Sequence, residues 1–578
     1  MDIFENIRKA IISYIVNIEP NIQDDFLNRI TTEKPKDESH GDIATNAAFI
    51  VAKPLNMSSK EFAKNLAKDI PVNLKYISSA IVAGNGFVNF KIADYKFLEI
   101  INCVLKEKFN YGKINIGKGK KINLEFVSAN PTGPLHIGHA RGAVFGDVLA
   151  RLLTFTGHKV TKEYYINDDG GQIRSLSRTA RYRALEFLKK NTKSMDEDMY
   201  PGEYLIPTGR RLAQEVNTNI LESHEDNWIN VCRSYAITDM MNIIKKDLEL
   251  LGVCHDIYTS EKEIKEKGKI KEVFSILKKN NLVYKGVLPP PKGKNFDYSS
   301  DSEPTLLFKS TLFGDDIDRA LKKKDGDWTY FAADLAYHYN KWERGYKEMI
   351  NVWGADHSGY VKRMIAAVKA ITGEQKPLSI NICQIVNLKE AGQPIKMSKR
   401  EGKFITLNEV ISKVGKDVTR FMMMTLKNDA PMDFDLVKAV EQSKDNPVFY
   451  VQYAYARISS IKRKCADEGI DIHRLNYANL KLLSHELEFR IIKTLSEWPK
   501  IIVNSTKYRE PHRIAFYLFD LSSVIHGYWA AGKENEELKI ILNNNRELTQ
   551  SRLALLEAAR NVLAIGLDIF GVKPLEEM

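Results

Sequence analysis

Two histidines three residues apart, His136 and His139, can both donate hydrogen bonds to phosphate oxygens. They follow a stretch broken by Pro131, Gly133 and Pro134, residues that forbid regular structure, so the stretch reads as a loop. Ahead of it, Lys121 to Phe126 alternates like a short strand. Behind it, Ala140, Val144, Val148 and Leu152 recur every four residues, which is helical spacing, and Gly157 supplies a stop. The histidines therefore open a helix, whose first turn has free backbone N–H groups and a partial positive charge that suit an anion. Gly138 between them carries no side chain, so a flat ring can lie against its backbone. Such a set fits a nucleoside triphosphate, although paired histidines on a helix also occur where nothing binds.

A second stretch answers the first. Lys396-Met397-Ser398-Lys399-Arg400 follows an apolar run, Ile380 to Leu388, and a turn at Gly392-Gln393-Pro394. Alone it reads as a solvated surface loop. Two lysines on a polar loop can also grip a phosphate chain from the side opposite the histidines. Occurring in this order, the two stretches resemble the paired signatures of class I aminoacyl-tRNA synthetases. The longer block from Ser128 through Asn130, Pro134 and Arg141 to Gly142 narrows the resemblance to arginyl-tRNA synthetase, and it runs through essentially the whole chain.

The resemblance implies roles for residues. His136, His139, Lys396 and Lys399 are expected to be catalytic, neutralising charge on the phosphates. Pro134, Gly138, Asp356, Met397 and Ser398 are expected beside ATP. Glu125, Ser128, Asn130, Tyr330, Asp334 and His357 are expected around L-arginine. Tyr330 and Asp334 also make sense on their own chemistry: four residues apart, they share a helix face, and a planar guanidinium wants a carboxylate in its plane and an aromatic ring above it. Asp334 capping a helix or pairing with a neighbouring lysine is the plainer alternative. Mg²⁺ is expected to arrive with ATP rather than in a protein cage, and no protein-bound metal or prosthetic group is expected.

These residues need elements to hold them. A chain of 578 residues exceeds one core, so several domains are expected. The expected class is α/β multidomain, with a Rossmann-type parallel sheet in the catalytic part. Residues 1–110 read as an N-terminal α+β module, 111–445 as the catalytic domain and 446–578 as an all-α bundle. The helical, charged stretch from about 178 to 300 reads as an insertion between the sheet halves, ending in the extended Pro289-Pro290-Pro291. By resemblance the first module meets the outer corner of tRNA, with Phe87 and Asn89 placed to stack on and hydrogen-bond a base. Core packing for Phe87 and a turn for Asn89 are the alternatives. The last module resembles an anticodon-binding bundle, in which Tyr450, Tyr453 and Arg457 are candidates for stacking or phosphate contact. Val418 stands where alanine is usual in the family, and Tyr455 where histidine is common.

The totals agree with that outline. Hydrophobic residues make up 44% and charged residues 28%, an ordinary soluble composition. The net charge of +11 favours a polyanionic partner such as tRNA. Five scattered cysteines include no Cys-x-x-Cys pair, so neither a zinc signature nor a disulfide framework is expected. No apolar run approaches bilayer length, and Met1-Asp2-Ile3-Phe4-Glu5 lacks the basic lead of a signal, so a cytoplasmic monomer with no membrane contact is expected. The expected reaction is ligation of arginine to tRNA(Arg) by way of an arginyl-adenylate. A tRNA-binding paralogue without catalysis, a class I synthetase of another specificity and a nucleotidyltransferase are the competing readings.

Overall fold

A computed structural model describes residues 2–190, 194–288, 303–395, 405–472 and 474–578. They form two compact units. One holds residues 115–442 and 570–572, the other residues 1–114, 443–569 and 573–578.

The first unit is built on a five-stranded sheet of β1 (Lys121–Glu125), β2 (Lys159–Ile166), β3 (Ile257–Ser260), β4 (Glu348–Gly354) and β5 (Leu378–Cys383). Its order is β5-β4-β1-β2-β3, and every neighbouring pair runs parallel. Helices α1 (Ile137–Phe155), α2 (Gly171–Phe187) and α3 (Tyr330–Glu343) lie among these strands in chain order. The strand order reverses between β1 and β4, where Leu124 pairs with Ile350 and Glu125 with Asn351. At such a switch point the loops leave in opposite directions and open a crevice at the strand ends. Helix α1 approaches the sheet closely at Gly146, where an added Cβ would lie 2.2 Å from Phe126 Cγ, so only glycine fits.

The sheet interior is partly polar. Glu163 on β2 is buried, and its carboxylate is shared by Asn123 of β1, Thr259 of β3 and Arg344 just past α3, at 2.5 to 2.8 Å. Burial alone would raise its pKa, but Lys341 and Arg344 outweigh it and hold the group below the usual glutamate range. Three strands are thereby keyed to one carboxylate.

The 178–300 stretch is not one uninterrupted insertion. Its helices Ile206–Glu215 and Glu225–Leu250 pack with α2 around their own core, including Leu176, Leu212, Trp228 and Met240. The chain then returns to the sheet as β3, the edge strand beside β2. This strand has four residues, all half-buried, so it shows neither alternation nor a continuous apolar run. Pro289, Pro290 and Pro291 lie outside the described residues.

In the second unit, residues 1–114 carry a four-stranded antiparallel sheet, ordered Thr32–Glu33, Ile43–Thr45, Phe87–Ile92, Ile77–Ala83, with helices. Residues 443–569 supply the helices Pro447–Asp467, Glu486–Tyr508, His512–Glu534 and Arg546–Ile569. The two stretches pack together: Trp498 Nε1 donates to the Tyr111 carbonyl and the Tyr111 hydroxyl to the Leu495 carbonyl, each at 3.1 Å. Gly112, at φ +80°, lies under the Trp498 ring, where a Cβ would come within 2.6 Å. Among the described residues no helix is long and apolar enough to cross a membrane.

Candidate active site

A cavity of about 1460 Å³ opens at the C-terminal ends of β1 and β4, lined among others by Glu125, Ser128, His136, His139, Asp334 and Asp356. The chain reaches it through the loop after β1. Val127 and Ser128 there have φ of 70° and 38°, a left-handed conformation that a β-branched residue rarely adopts. Strain of this kind persists where surrounding contacts over-determine it. Here the Ser128 hydroxyl donates to Glu125 Oε1 at 3.1 Å and accepts from the Tyr165 N–H at 3.0 Å, while Asn167 holds the Ser128 carbonyl.

His136 is the N-cap of α1. Its Nδ1 accepts from the Gly138 N–H at 3.1 Å, and His139 Nδ1 accepts from the His136 N–H at 3.2 Å. A ring nitrogen that accepts carries no proton, so both neutral rings are Nε2–H tautomers. The reciprocal cap therefore fixes Nε2 of each ring as the donor, with the ring centroids 4.0 Å apart. Gly138 is exposed and lines the cavity; Pro134 is buried and does not line it.

The backbone just before α1 is clamped from two sides. Asp247 accepts the Leu135 N–H at 3.0 Å, and the Leu135 carbonyl accepts from the Leu407 N–H at 2.7 Å. His136 itself forms an isolated antiparallel bridge with Thr406. Burial pushes the Asp247 carboxyl up to about 6, partly opposed by the Leu135 N–H. Lys396, Met397, Ser398 and Lys399 lie outside the described residues. Thr406, among the described residues, lies beside the histidine loop.

Asp334, in the second turn of α3, accepts from the Tyr360 hydroxyl at 2.7 Å. Burial pushes its carboxyl up to about 7; the Tyr360 hydrogen bond opposes the rise, and Glu261 and Glu125 add to it. A carboxylate so placed is stabilised by an incoming cation. Tyr330 opens the same helix but is 63% exposed and lines a neighbouring cavity of about 450 Å³ instead, where its hydroxyl faces Gly170. Asn130 lines the main cavity and donates to Gln172 at 2.8 Å. Asp356 and His357, in a short 3₁₀ turn after β4, lie at its mouth, both well exposed and 3.4 Å apart.

Sequence reasoning missed several lining groups: Tyr337, His338, Asn351 and Tyr360, together with Lys341 behind them. Lys341 follows Asp334 by seven residues, two helical turns on the same face, but its place near the helix end reads in sequence as a solvated lysine.

The other expected contacts lie in the second unit. Phe87 and Asn89 share the strand Phe87–Ile92; Phe87 is exposed and meets Phe49 edge-on at 4.9 Å, whereas Asn89 is buried. Arg457 lies over the Tyr453 ring at 4.0 Å, donates to the Tyr453 hydroxyl at 2.9 Å and to His526 at 3.0 Å. Tyr450 packs on the same histidine at 4.5 Å. Tyr455 is buried with its hydroxyl on Glu576.

Comparison with known proteins agrees along the whole chain. Residues 2–92 match the arginyl tRNA synthetase N-terminal domain, 100–445 the class I tRNA synthetase (R) catalytic domain and 451–578 the DALR anticodon-binding domain. The chain is 46% identical over 555 residues to the arginine–tRNA ligase of Parvibaculum lavamentivorans, covering 96% of this chain and 95% of that one. It is 44% identical over 586 residues to the arginine–tRNA ligase of Paracoccus denitrificans, covering all of both chains. The arginyl-tRNA synthetase structure from Thermus thermophilus shares the fold at a TM-score of 0.76 over the full length of both chains, with 19% identity. A histidine-capped helix at the switch point of a parallel sheet, a buried carboxylate in the same cavity and relatives alike from end to end lead to one assignment: the chain belongs to the arginyl-tRNA synthetase family.

Proposed function

We propose that this cavity activates L-arginine with ATP to an arginyl-adenylate, releasing pyrophosphate, and passes the arginyl group to the terminal adenosine of tRNA(Arg), releasing AMP. The observation that carries the reading is that Asp334 and the two Nε2–H histidines line one cavity. The arginine carboxylate attacks the α-phosphorus and pyrophosphate leaves in line. Catalysis is then mostly placement and charge neutralisation, with no protein nucleophile. His136 and His139 donate to phosphate oxygens as charge moves onto them. Lys396 and Lys399 are assigned to the leaving pyrophosphate, with Met397 and Ser398 beside the nucleotide; the Thr406 bridge to His136 supports this by bringing their C-terminal flank to the histidine loop. Mg²⁺ enters with ATP.

Asp334 takes the guanidinium, and Glu125, Ser128, Asn130 and His357 complete the amino-acid site, while Tyr330 lines the neighbouring cavity. A site built for a forked, bidentate cation leaves acceptors unpaired against lysine's ammonium, which disfavours lysine by about several kcal/mol. Phe87 and Asn89 serve one contact with tRNA, and Tyr450, Tyr453 and Arg457 another. The test is ATP–pyrophosphate exchange and tRNA charging with each amino acid, with Asp334→Ala beside the parent. Arginine-dependent exchange in the presence of tRNA, lost in Asp334→Ala, is expected. No exchange, or preference for another amino acid, overturns the reading.

A further inference from the structure

Glu125 and Asp334 both line the cavity, yet they are held differently. Glu125 Oε2 takes a 2.5 Å hydrogen bond from Lys341 Nζ, with both side chains closed off from solvent. Asp334 takes the Tyr360 hydroxyl and, among the described residues, makes no ion pair. The nearby Glu163 and Glu261 are already paired, with Arg344 at 2.8 Å and Lys265 at 2.7 Å.

Lys341 is fixed by a continuous network. Its Nζ also reaches Asn351 Oδ1 at 3.3 Å; Asn351 Nδ2 meets His338 Nε2 at 2.9 Å; His338 Nδ1 meets the Asp334 carbonyl at 2.8 Å. A carbonyl only accepts, so His338 carries its proton on Nδ1 and its Nε2 accepts from the Asn351 amide. The amide oxygen must then face the ammonium, which leaves one consistent arrangement. Burial, with Lys341 adding to it, pushes His338 down to about 3, so the ring is neutral and the charge in this network belongs to Lys341 and Glu125. At its far end Glu125 Oε1 takes the Ser128 hydroxyl of the strained loop.

We propose that Lys341 is a positioning residue for arginine selection. Its ammonium cancels the charge of Glu125 and fixes that carboxylate, so that of the two only Asp334 presents a net negative charge to the amino-acid side chain. Two uncompensated carboxylates in one buried pocket would repel, and one would take up a proton. A side chain with a single positive charge needs a single countercharge. The inference rests on the arginine-activating reading; arginine-dependent exchange by the parent tests that reading, and the ranking of variants tests Lys341.

The experiment compares the parent, Glu125→Gln and the double variant Glu125→Gln/Lys341→Met in ATP–pyrophosphate exchange with tRNA present. Glu125→Gln leaves the Lys341 charge unpaired beside Asp334, so the pocket is neutral overall, and KM for arginine rises about tenfold or more. Adding Lys341→Met restores the net charge of the parent and recovers at least about fivefold of that loss, although a second buried side chain has been altered. KM for ATP stays within about twofold throughout. A merely structural ion pair gives the opposite ranking, since each further change in the core loosens the site. A double variant no better than Glu125→Gln, or KM for ATP rising in parallel with that for arginine, overturns the proposal. The double variant buries no unpaired charge, so its folding is the less demanding of the two.

Discussion

The Tyr360 hydroxyl donates to Asp334 across 2.7 Å, joining the 3₁₀ turn after β4 to helix α3 at the carboxylate assigned to the guanidinium. That contact sets a pH dependence. Burial pushes Asp334 up to about 7, and the Tyr360 hydrogen bond is what chiefly restrains it. Only the ionised carboxylate pairs with a guanidinium, so KM for arginine is high in acid, falls as pH rises through about 7 and is flat above it. Tyr360→Phe removes a donor to the charged form and moves the inflection to higher pH. The same group makes a stability signature in the arginine-free protein. With its folded pKa above the unfolded one, it stabilises the fold below the unfolded value, and that contribution is lost as pH rises through about 7. Arginine KM measured from pH 6 to 9 on both proteins checks the first point; no displacement of the inflection in Tyr360→Phe counts against it.

The histidine loop separates capping from chemistry. Asparagine is a good N-cap, so His136→Asn keeps the bond to the Gly138 N–H while removing the ring Nε2–H. The expected outcome is a fall in kcat for exchange of about 10²–10³-fold, the usual effect of losing one preorganised donor to developing charge. Thermal unfolding should shift little. Loss of helix stability in parallel with kcat would show that the ring acts only as a cap.

The residues that the sequence made legible are those that chain connectivity alone brings together. Glu125, Ser128, Asn130, His136 and His139 lie on one strand, one loop and the first turn of one helix, so their spacing already imposes proximity. Asp334 was recognisable because a carboxylate one turn from a tyrosine has an evident cationic ligand. Lys341 was not, since a lysine near the end of a helix, followed by Trp342 and Glu343, reads as a solvated helix end. Its burial comes from β1 and β4, strands more than 200 residues and about 10 residues away in sequence, as its bonds to Glu125 and Asn351 show. The edge strand β3 was hidden for a related reason: four half-buried residues carry no period, and only pairing with β2 makes them a strand. Asp247 likewise looks like an ordinary charged residue of a long helix until Leu135 is seen to donate to it.

Phe87 and Asn89 sit on the same strand yet should separate on mutation. Phe87 is 46% exposed, so Phe87→Ala is expected to leave stability nearly unchanged while raising KM for tRNA; a lost stacking contact is worth about 1–3 kcal/mol per base. Asn89 is buried in the sheet, so Asn89→Ala combines any tRNA effect with a loss of stability of about 1–3 kcal/mol. KM for arginine should not move in Phe87→Ala, since that residue lies in the other unit from the cavity. Charging kinetics with tRNA and arginine varied in turn test both, and an arginine KM that follows Phe87→Ala would refute the assignment.

Arg420 and Asp147 form the most enclosed ion pair of the first unit that bears on α1. Arg420 Nη2 meets Asp147 Oδ2 at 2.6 Å, and neither side chain is accessible to solvent. The rest of the guanidinium is taken up by backbone: Nε donates to the Phe570 carbonyl at 2.7 Å and Nη1 to the Leu251 carbonyl at 3.0 Å. Burial would raise the Asp147 carboxyl, but Arg420 and Arg151 outweigh it and hold the group below its ordinary range. Asp147→Asn strands the Arg420 charge in the interior and should lower stability by about 3–5 kcal/mol in urea, whereas Arg420→Met leaves Asp147 paired with Arg151 at 2.8 Å and should cost less. Replacing both, as Asp147→Leu/Arg420→Met, should recover part of that loss on the charge side, but the carbonyls of Phe570 and Leu251 then go without a donor. The double variant is therefore expected to fall between the parent and Asp147→Asn. Since Asp147 is on the helix that His136 caps, a loosened pair should also raise KM for ATP before it unfolds the protein, while a change in stability with KM for ATP untouched would confine the pair to packing.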